Sequence, residues 1–96
     1  MTKYELSARA NREIKELYLD GIEKFGLRQA DRYLDELIHC FELLADNPFM
    51  GRKAEKIAPS ARRHEHKSHI ILYERTDDGV IIQAIVPSRS IIRLEL

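Results

Sequence analysis

The spacing of apolar residues changes once along this chain, and that change limits the possible folds more than any other feature. Up to Asn47 the spacing is helical. Ala10, Ile14, Leu17, Tyr18, Gly21, Ile22 and Phe25 recur at steps of three, four or one and fall on one side of a 3.6-residue helix. Gly26 follows, where a helix C-terminus favours glycine. A second stripe of Ala30, Tyr33, Leu34, Leu37, Ile38, Phe41, Leu44 and Ala45 stops at Asn47-Pro48, because proline disfavours helix in the residue before it. So short a break between two stripes predicts an antiparallel helical hairpin.

Beyond Pro48 the chain reads differently. Phe49 to Pro59 reads as a connecting loop, punctuated by Pro48, Gly51 and Pro59. Arg62 to His66, His69 to Arg75 and Val80 to Val86 then read as strands, with Asp77-Asp78-Gly79 as a hairpin turn and Pro87 as a stop. Tyr4 to Ser7 is a short alternating stretch, with Ser7 placed to cap the first helix. The expected fold class is therefore α+β: a short N-terminal strand, the helical hairpin, then a three-stranded antiparallel meander under one face of the hairpin. A chain of 96 residues with no internal repeat supports one domain over 1–96.

Composition narrows the function. One cysteine, Cys40, gives no internal disulfide and no Cys-rich zinc site, as expected in a reducing compartment. The longest nearly continuous apolar run, Val80 to Val86, is far short of the roughly 20 residues of a membrane helix. With no basic-then-apolar leader at the start, a cytoplasmic protein is expected. Sixteen Lys and Arg balance sixteen Asp and Glu, but unevenly: Ala8–Asn47 has six basic and nine acidic residues, whereas Phe49–Arg75 has seven basic and three acidic. The neutral total excludes a uniformly basic protein and leaves room for a basic surface on the meander.

Several residue groups invite chemical readings. His64, His66 and His69 make a three-histidine metal site conceivable, but their spacing matches no zinc motif, and polar residues on an exposed hairpin are the favoured reading. No metal or cofactor is expected. Arg62, Arg63, Lys67 and Arg75 in the meander, with Arg89 and Arg93 in the tail, suit an anionic or acidic partner or, equally, a charged sheet edge. Cys40 flanks an apolar stripe like an inert thiol, and Ser88 and Ser90 lack a nucleophile elbow. Glu13, Glu16, Asp20 and Glu23 recur as on a solvated helix face. Leu19 and Leu43 lie off their stripes, as isolated surface leucines do, or as part of a docking surface for a partner's amphipathic segment.

An ordered set of short motifs then resembles a known family. Leu6-Ser7 with Ala10, Phe25-Gly26 with Gln29-Ala30 and Tyr33-Leu34, Leu44-Ala45 with Asn47-Pro48 and Gly51-Arg52, Arg62-Arg63, and Ser68-His69-Ile70-Ile71-Leu72-Tyr73 together resemble the ParE branch of the RelE/ParE toxin superfamily. The resemblance runs from about Tyr4 to Val86. It implies the toxin of a type II toxin–antitoxin module: a non-enzymatic inhibitor of DNA gyrase, neutralised by a ParD-like ribbon-helix-helix antitoxin and meeting nucleic acid only through gyrase or the antitoxin. On this reading Arg62, Arg63, Arg75, Arg89 and Arg93 face the target, while Leu19, Leu43, Arg62 and Tyr73 face the antitoxin. The tail departs from the family pattern, with Pro87 and Ile91 where a histidine and an aspartate are common; Arg89 is retained. Two alternatives on the same fold are a RelE-like ribosome-dependent mRNA endoribonuclease and a detoxified relative that only binds antitoxin.

Overall fold

The computed structural model describes residues 3–89. In chain order it contains β1 (Lys3–Leu6), α1 (Ala8–Phe25), α2 (Leu27–Asp46), β2 (Arg52–Lys53), β3 (Arg62–His66), β4 (His69–Arg75) and β5 (Gly79–Pro87). The helical hairpin and the antiparallel meander β3-β4-β5 stand as the periodicity predicts. Gly26, at φ +91°, ends α1 and begins α2 within one residue.

The sheet adds to the sequence reading in one place and corrects it in another. Its strand order is β1-β5-β4-β3-β2, and β1 pairs with β5 in parallel, from Lys3 opposite Gly79 to Leu6 opposite Ile82. The sheet is therefore mixed. The segment read as a loop also contains β2, whose Arg52 and Lys53 pair with Arg63 and Arg62. Two residues are too few to show an alternating pattern, so sequence periodicity has nothing to register there.

The hairpin packs on one face of the sheet. Ala10, Leu37, Phe41 and Leu44 from the helices meet Ile71, Tyr73, Val80, Ile82 and Ile85 from β4 and β5. Successive strand residues point to opposite faces, and Ile70, Leu72, Ala84 and Val86 form a second, smaller cluster on the far side, with Ile57 packed against it. Phe25 departs from its expected place in the core stripe. It is the last residue of α1, 64 % exposed, and lines a groove rather than the core.

Ser7 and Glu13 join α1 to β5. The Ser7 hydroxyl accepts from the Ala10 amide, as an N-cap should, and donates to the Gln83 carbonyl at 2.8 Å. The β4–β5 register shifts at that point, with Leu72 opposite Ala84 but Tyr73 opposite Ile82, so Gln83 is the extra residue of a bulge. Beyond β1 no strand among the described residues flanks the outer edge of β5, and the Ile85 amide donates instead to Glu13 Oε1 at 3.0 Å. Glu13 is thus a backbone acceptor rather than one of four solvated carboxylates.

Candidate functional site

Two clusters of polar and aromatic side chains lie at opposite ends of the helix-side face of the sheet. The first forms where α2 ends. Pro48 halts the helix, and the chain turns through Phe49, Met50 and Gly51 into β2. Tyr73, fully buried in β4, fixes this turn: its hydroxyl donates to the Pro48 carbonyl at 2.8 Å and accepts from the Gly51 amide at 2.8 Å. Burial raises the pKa of this phenol, with the Gly51 amide and the Arg62 charge opposing the shift, so it remains a neutral donor. Gly51 is enclosed so closely that a Cβ there would stand 2.5 Å from the Tyr73 hydroxyl oxygen and 2.7 Å from the Arg63 carbonyl oxygen.

The turn held in this way presents Phe49 and Met50 to solvent, 61 % and 44 % exposed. The guanidinium carbons of Arg62 and Arg75 each lie 4.9 Å from the centroid of the Phe49 ring, within cation–π range. Arg62 also donates to the Gly51 carbonyl at 2.6 Å.

The second cluster lies at the β3–β4 turn. Cys40 Sγ is 3.3 Å from His66 Nδ1, and the Tyr33 hydroxyl is 2.7 Å from His69 Nδ1. His66 Nε2 is buried without a hydrogen-bond partner. Lys67 reaches across to Glu36 at 2.7 Å. Burial lowers the pKa of both imidazoles, and Lys67 and His64 lower that of His66 further, while Glu36 opposes them. Burial also raises the Cys40 thiol above its usual value, which suits an inert packing role. Among the described residues no three histidine, cysteine or carboxylate side chains converge to hold a metal ion.

These imidazoles make stability depend on pH. Their folded pKa values lie below the unfolded value of about 6.5, so the unfolded chain binds protons more readily. Their contribution to stability is complete above about pH 6.5 and is lost as pH falls through the depressed folded values. The melting temperature is expected to fall between about pH 7 and pH 5. In a His66→Gln, His69→Gln double variant that slope should flatten when followed by circular dichroism, and an unchanged slope would place the dependence elsewhere.

Of the five arginines assigned to a target, the four among the described residues do not form one patch. Arg62 and Arg75 come together at Phe49. Arg63 pairs with Leu72, whose side chain belongs to the far-side cluster, so strand alternation sends Arg63 to the opposite face of the sheet from Arg62. Arg89 is exposed just past β5, where the Ser88 amide donates to the Ser68 carbonyl, at the end away from Phe49. Arg93 lies outside the described residues. Of the residues assigned to an antitoxin, Leu19 and Leu43 are surface residues at 65 % and 38 % exposure, and Arg62 is half-buried. Tyr73 is not at the surface. Its ring belongs to the core and its hydroxyl is occupied, so it positions the Phe49 turn rather than touching a partner.

Sequence reading passed over Phe49 and Met50. The available signal was a pair of large apolar residues directly after a helix-ending proline, with arginines nearby on the meander. It also passed over a groove of about 480 Å³ between the hairpin and the β3–β4 turn, lined by Leu17, Gly21, Phe25, Ala30, Tyr33 and His69 among others. Among the described residues no helix is long and apolar enough to cross a membrane.

Comparison with known proteins agrees with this architecture. Residues 4–92 match the family described as ParE toxin of type II toxin-antitoxin system, parDE. A Toxin ParE1 from Mycobacterium tuberculosis is 34 % identical over 80 residues, covering 83 % of this chain and 82 % of the relative. A Toxin ParE1 from Caulobacter vibrioides is 32 % identical over 73 residues, covering 76 % of each. A solved structure described as a chromosomal ParDE TA system from P. aeruginosa superposes with a TM-score of 0.75 at 13 % identity, over 91 % of this chain and 96 % of that one, which shows a shared fold. From its helical hairpin to its mixed sheet, this chain belongs to the ParE toxin family of type II toxin–antitoxin systems.

Proposed function

We propose that this toxin arrests growth by contact with DNA gyrase, stalling replication, and that a ParD-like ribbon-helix-helix antitoxin holds it in check in the cytoplasm. Family membership supports the module. The observation that carries the choice of contact over catalysis is the separation of the two clusters. Metal-free RNA cleavage needs an acid–base pair beside the cations that stabilise the phosphorane. Arg62 and His66 are four residues apart on β3, about 13 Å at the usual strand rise. The arginines at Phe49 and the imidazoles of His66 and His69 therefore sit too far apart to act on one phosphate. That leaves His64, two residues from Arg62 on the same face, as the imidazole nearest those cations on β3.

In this proposal Arg62, Arg63, Arg75, Arg89 and Arg93 contribute to the target-facing surfaces. Leu19, Leu43, Arg62 and the groove beside Phe25 serve the antitoxin, whose amphipathic segment lays its apolar side chains along the hairpin. Purified toxin is expected to inhibit gyrase supercoiling and to lose that effect when antitoxin is added. Cleavage of messenger RNA in a translating extract, with gyrase unaffected, would replace the proposal with a ribonuclease. Tight antitoxin binding with neither activity would identify a detoxified relative. An Arg89→Ala, Arg93→Ala double variant should lose growth arrest while keeping its antitoxin affinity nearly intact, and unchanged arrest in that variant would remove the tail from the mechanism.

A further inference from the structure

We infer that the Phe49 corner is a docking site for an acidic, partly apolar peptide, with a carboxylate received by Arg75 and Arg62 and a neighbouring apolar side chain resting on Phe49 and Met50. The identity of the peptide as part of the antitoxin rests on the function proposed above; the chemistry of the corner does not.

Among the described residues no carboxylate pairs directly with the two arginines of the corner, and Asp77 and Asp78 come no closer than the hollow beside Arg75. Two guanidinium groups stand at the same aromatic ring, each 4.9 Å from its centroid, so their like charges lie within twice that distance of one another. Among the described residues Arg12, Lys15, Arg28, Arg32 and Lys56 likewise have no carboxylate within ion-pair distance; what sets Arg62 and Arg75 apart is that they share one exposed aromatic ring. Arg62 donates only to the neutral Gly51 carbonyl, and Arg75 only stacks. An incoming carboxylate supplies the missing direct partner, and arginine can bind it through two parallel N–H donors.

The corner is also prepared for binding. Two hydrogen bonds from the buried Tyr73 hold the turn, so Phe49 and Met50 are exposed without being loose. Fixing the receiving surface beforehand lowers the entropic cost of association. Exposed aromatic and methionine side chains beside arginine have the composition of interface cores.

Charge distribution selects the occupant. The hollow of about 530 Å³ beside Phe49 and Arg75 is also lined by Asp77 and Asp78. A nucleic-acid backbone, with phosphates at every step, would bring further negative charge against these two carboxylates. A peptide can place one carboxylate on the arginines and apolar atoms everywhere else. The arrangement therefore favours an acidic peptide over nucleic acid.

The test follows the arginine side-chain N–H resonances of the labelled full chain by NMR. The probes are a blocked leucine-rich peptide carrying a single glutamate, the same peptide with glutamine in its place, inorganic phosphate and a short single-stranded oligonucleotide. The glutamate peptide is expected to shift both Arg62 and Arg75 and to bind about tenfold more tightly than the glutamine peptide. Arg75→Gln should remove that difference without lowering the melting temperature, since Arg75 makes no polar contact within the described fold. Equal binding of the two peptides overturns the inference, and so does tighter binding of phosphate or of the oligonucleotide, the latter giving the corner to nucleic acid. A parallel titration uses the ParD-like antitoxin that the proposed function requires. If that protein binds wild type and Arg75→Gln equally, the inference fails and the proposed function stands. If it binds neither, the proposed function fails, and the peptide titration alone decides the corner.

Discussion

Tyr73→Phe should destabilise the fold by about 2–4 kcal/mol, although it removes a single oxygen atom. That oxygen serves two backbone groups at once, the Gly51 amide and the Pro48 carbonyl, each at 2.8 Å. Phenylalanine would fill the same space and leave both groups unpaired beside the core, where each loses its solvation without compensation. For a domain of this size the melting temperature should fall on the order of 10–20 °C. Gly51→Ala tests the same contact from the other side, because the added methyl would stand 2.5 Å from the Tyr73 oxygen and could enter only by displacing it. The two variants share one interaction, so the double variant should cost less than the sum of the singles. A change in Tm below about 3 °C for Tyr73→Phe would show that water can replace the hydroxyl.

Gly79→Ala should detach the first strand. A Cβ at Gly79 would lie 1.7 Å from the Lys3 carbonyl oxygen, well inside any permitted contact, so β1 and β5 cannot keep their register with a side chain there. The expected cost is at least 2 kcal/mol, about the size of other steric insertions into packed structure. Its signature is local. Amide hydrogen exchange should speed up along β1, while amides at the centre of β4 keep much of their protection. Uniform loss of protection would mean that β1 is needed for the whole sheet, and unchanged exchange would contradict the close approach.

The elements carried by long periodic stretches were legible in the sequence. Both helices and the three meander strands follow from their spacing, because one buried face per element leaves a regular trace. β2 is too short to leave one. The parallel pairing of β1 with β5 joins the two ends of the chain, and no local pattern encodes a partner so distant. Arg62 and Arg63 read as one basic patch, yet strand alternation separates them, while Arg62 and Arg75, well apart in sequence, meet over Phe49. Glu13 matched a solvated helix face because its acceptor role follows from where the β1 pairing stops along β5, on another element. Tyr73 was misplaced for a related reason: a tyrosine in a strand suits a surface or a core equally well until a partner for its hydroxyl is known. Leu19 and Leu43 were legible as surface residues, since each breaks a stripe that is otherwise complete.

The position of β1 also has a consequence for synthesis. As the chain emerges from the ribosome, α1 and α2 appear early, with an amphipathic face and no sheet to cover it. Among the described residues the first strand pairs with Gly79–Pro87, so the sheet closes only after the strands between them have been made. Such long-range closure is slow relative to local helix formation. A protein that recognised the hairpin's apolar face would therefore have a period before closure in which to bind it, and an antitoxin made alongside could meet its target before the target had finished folding.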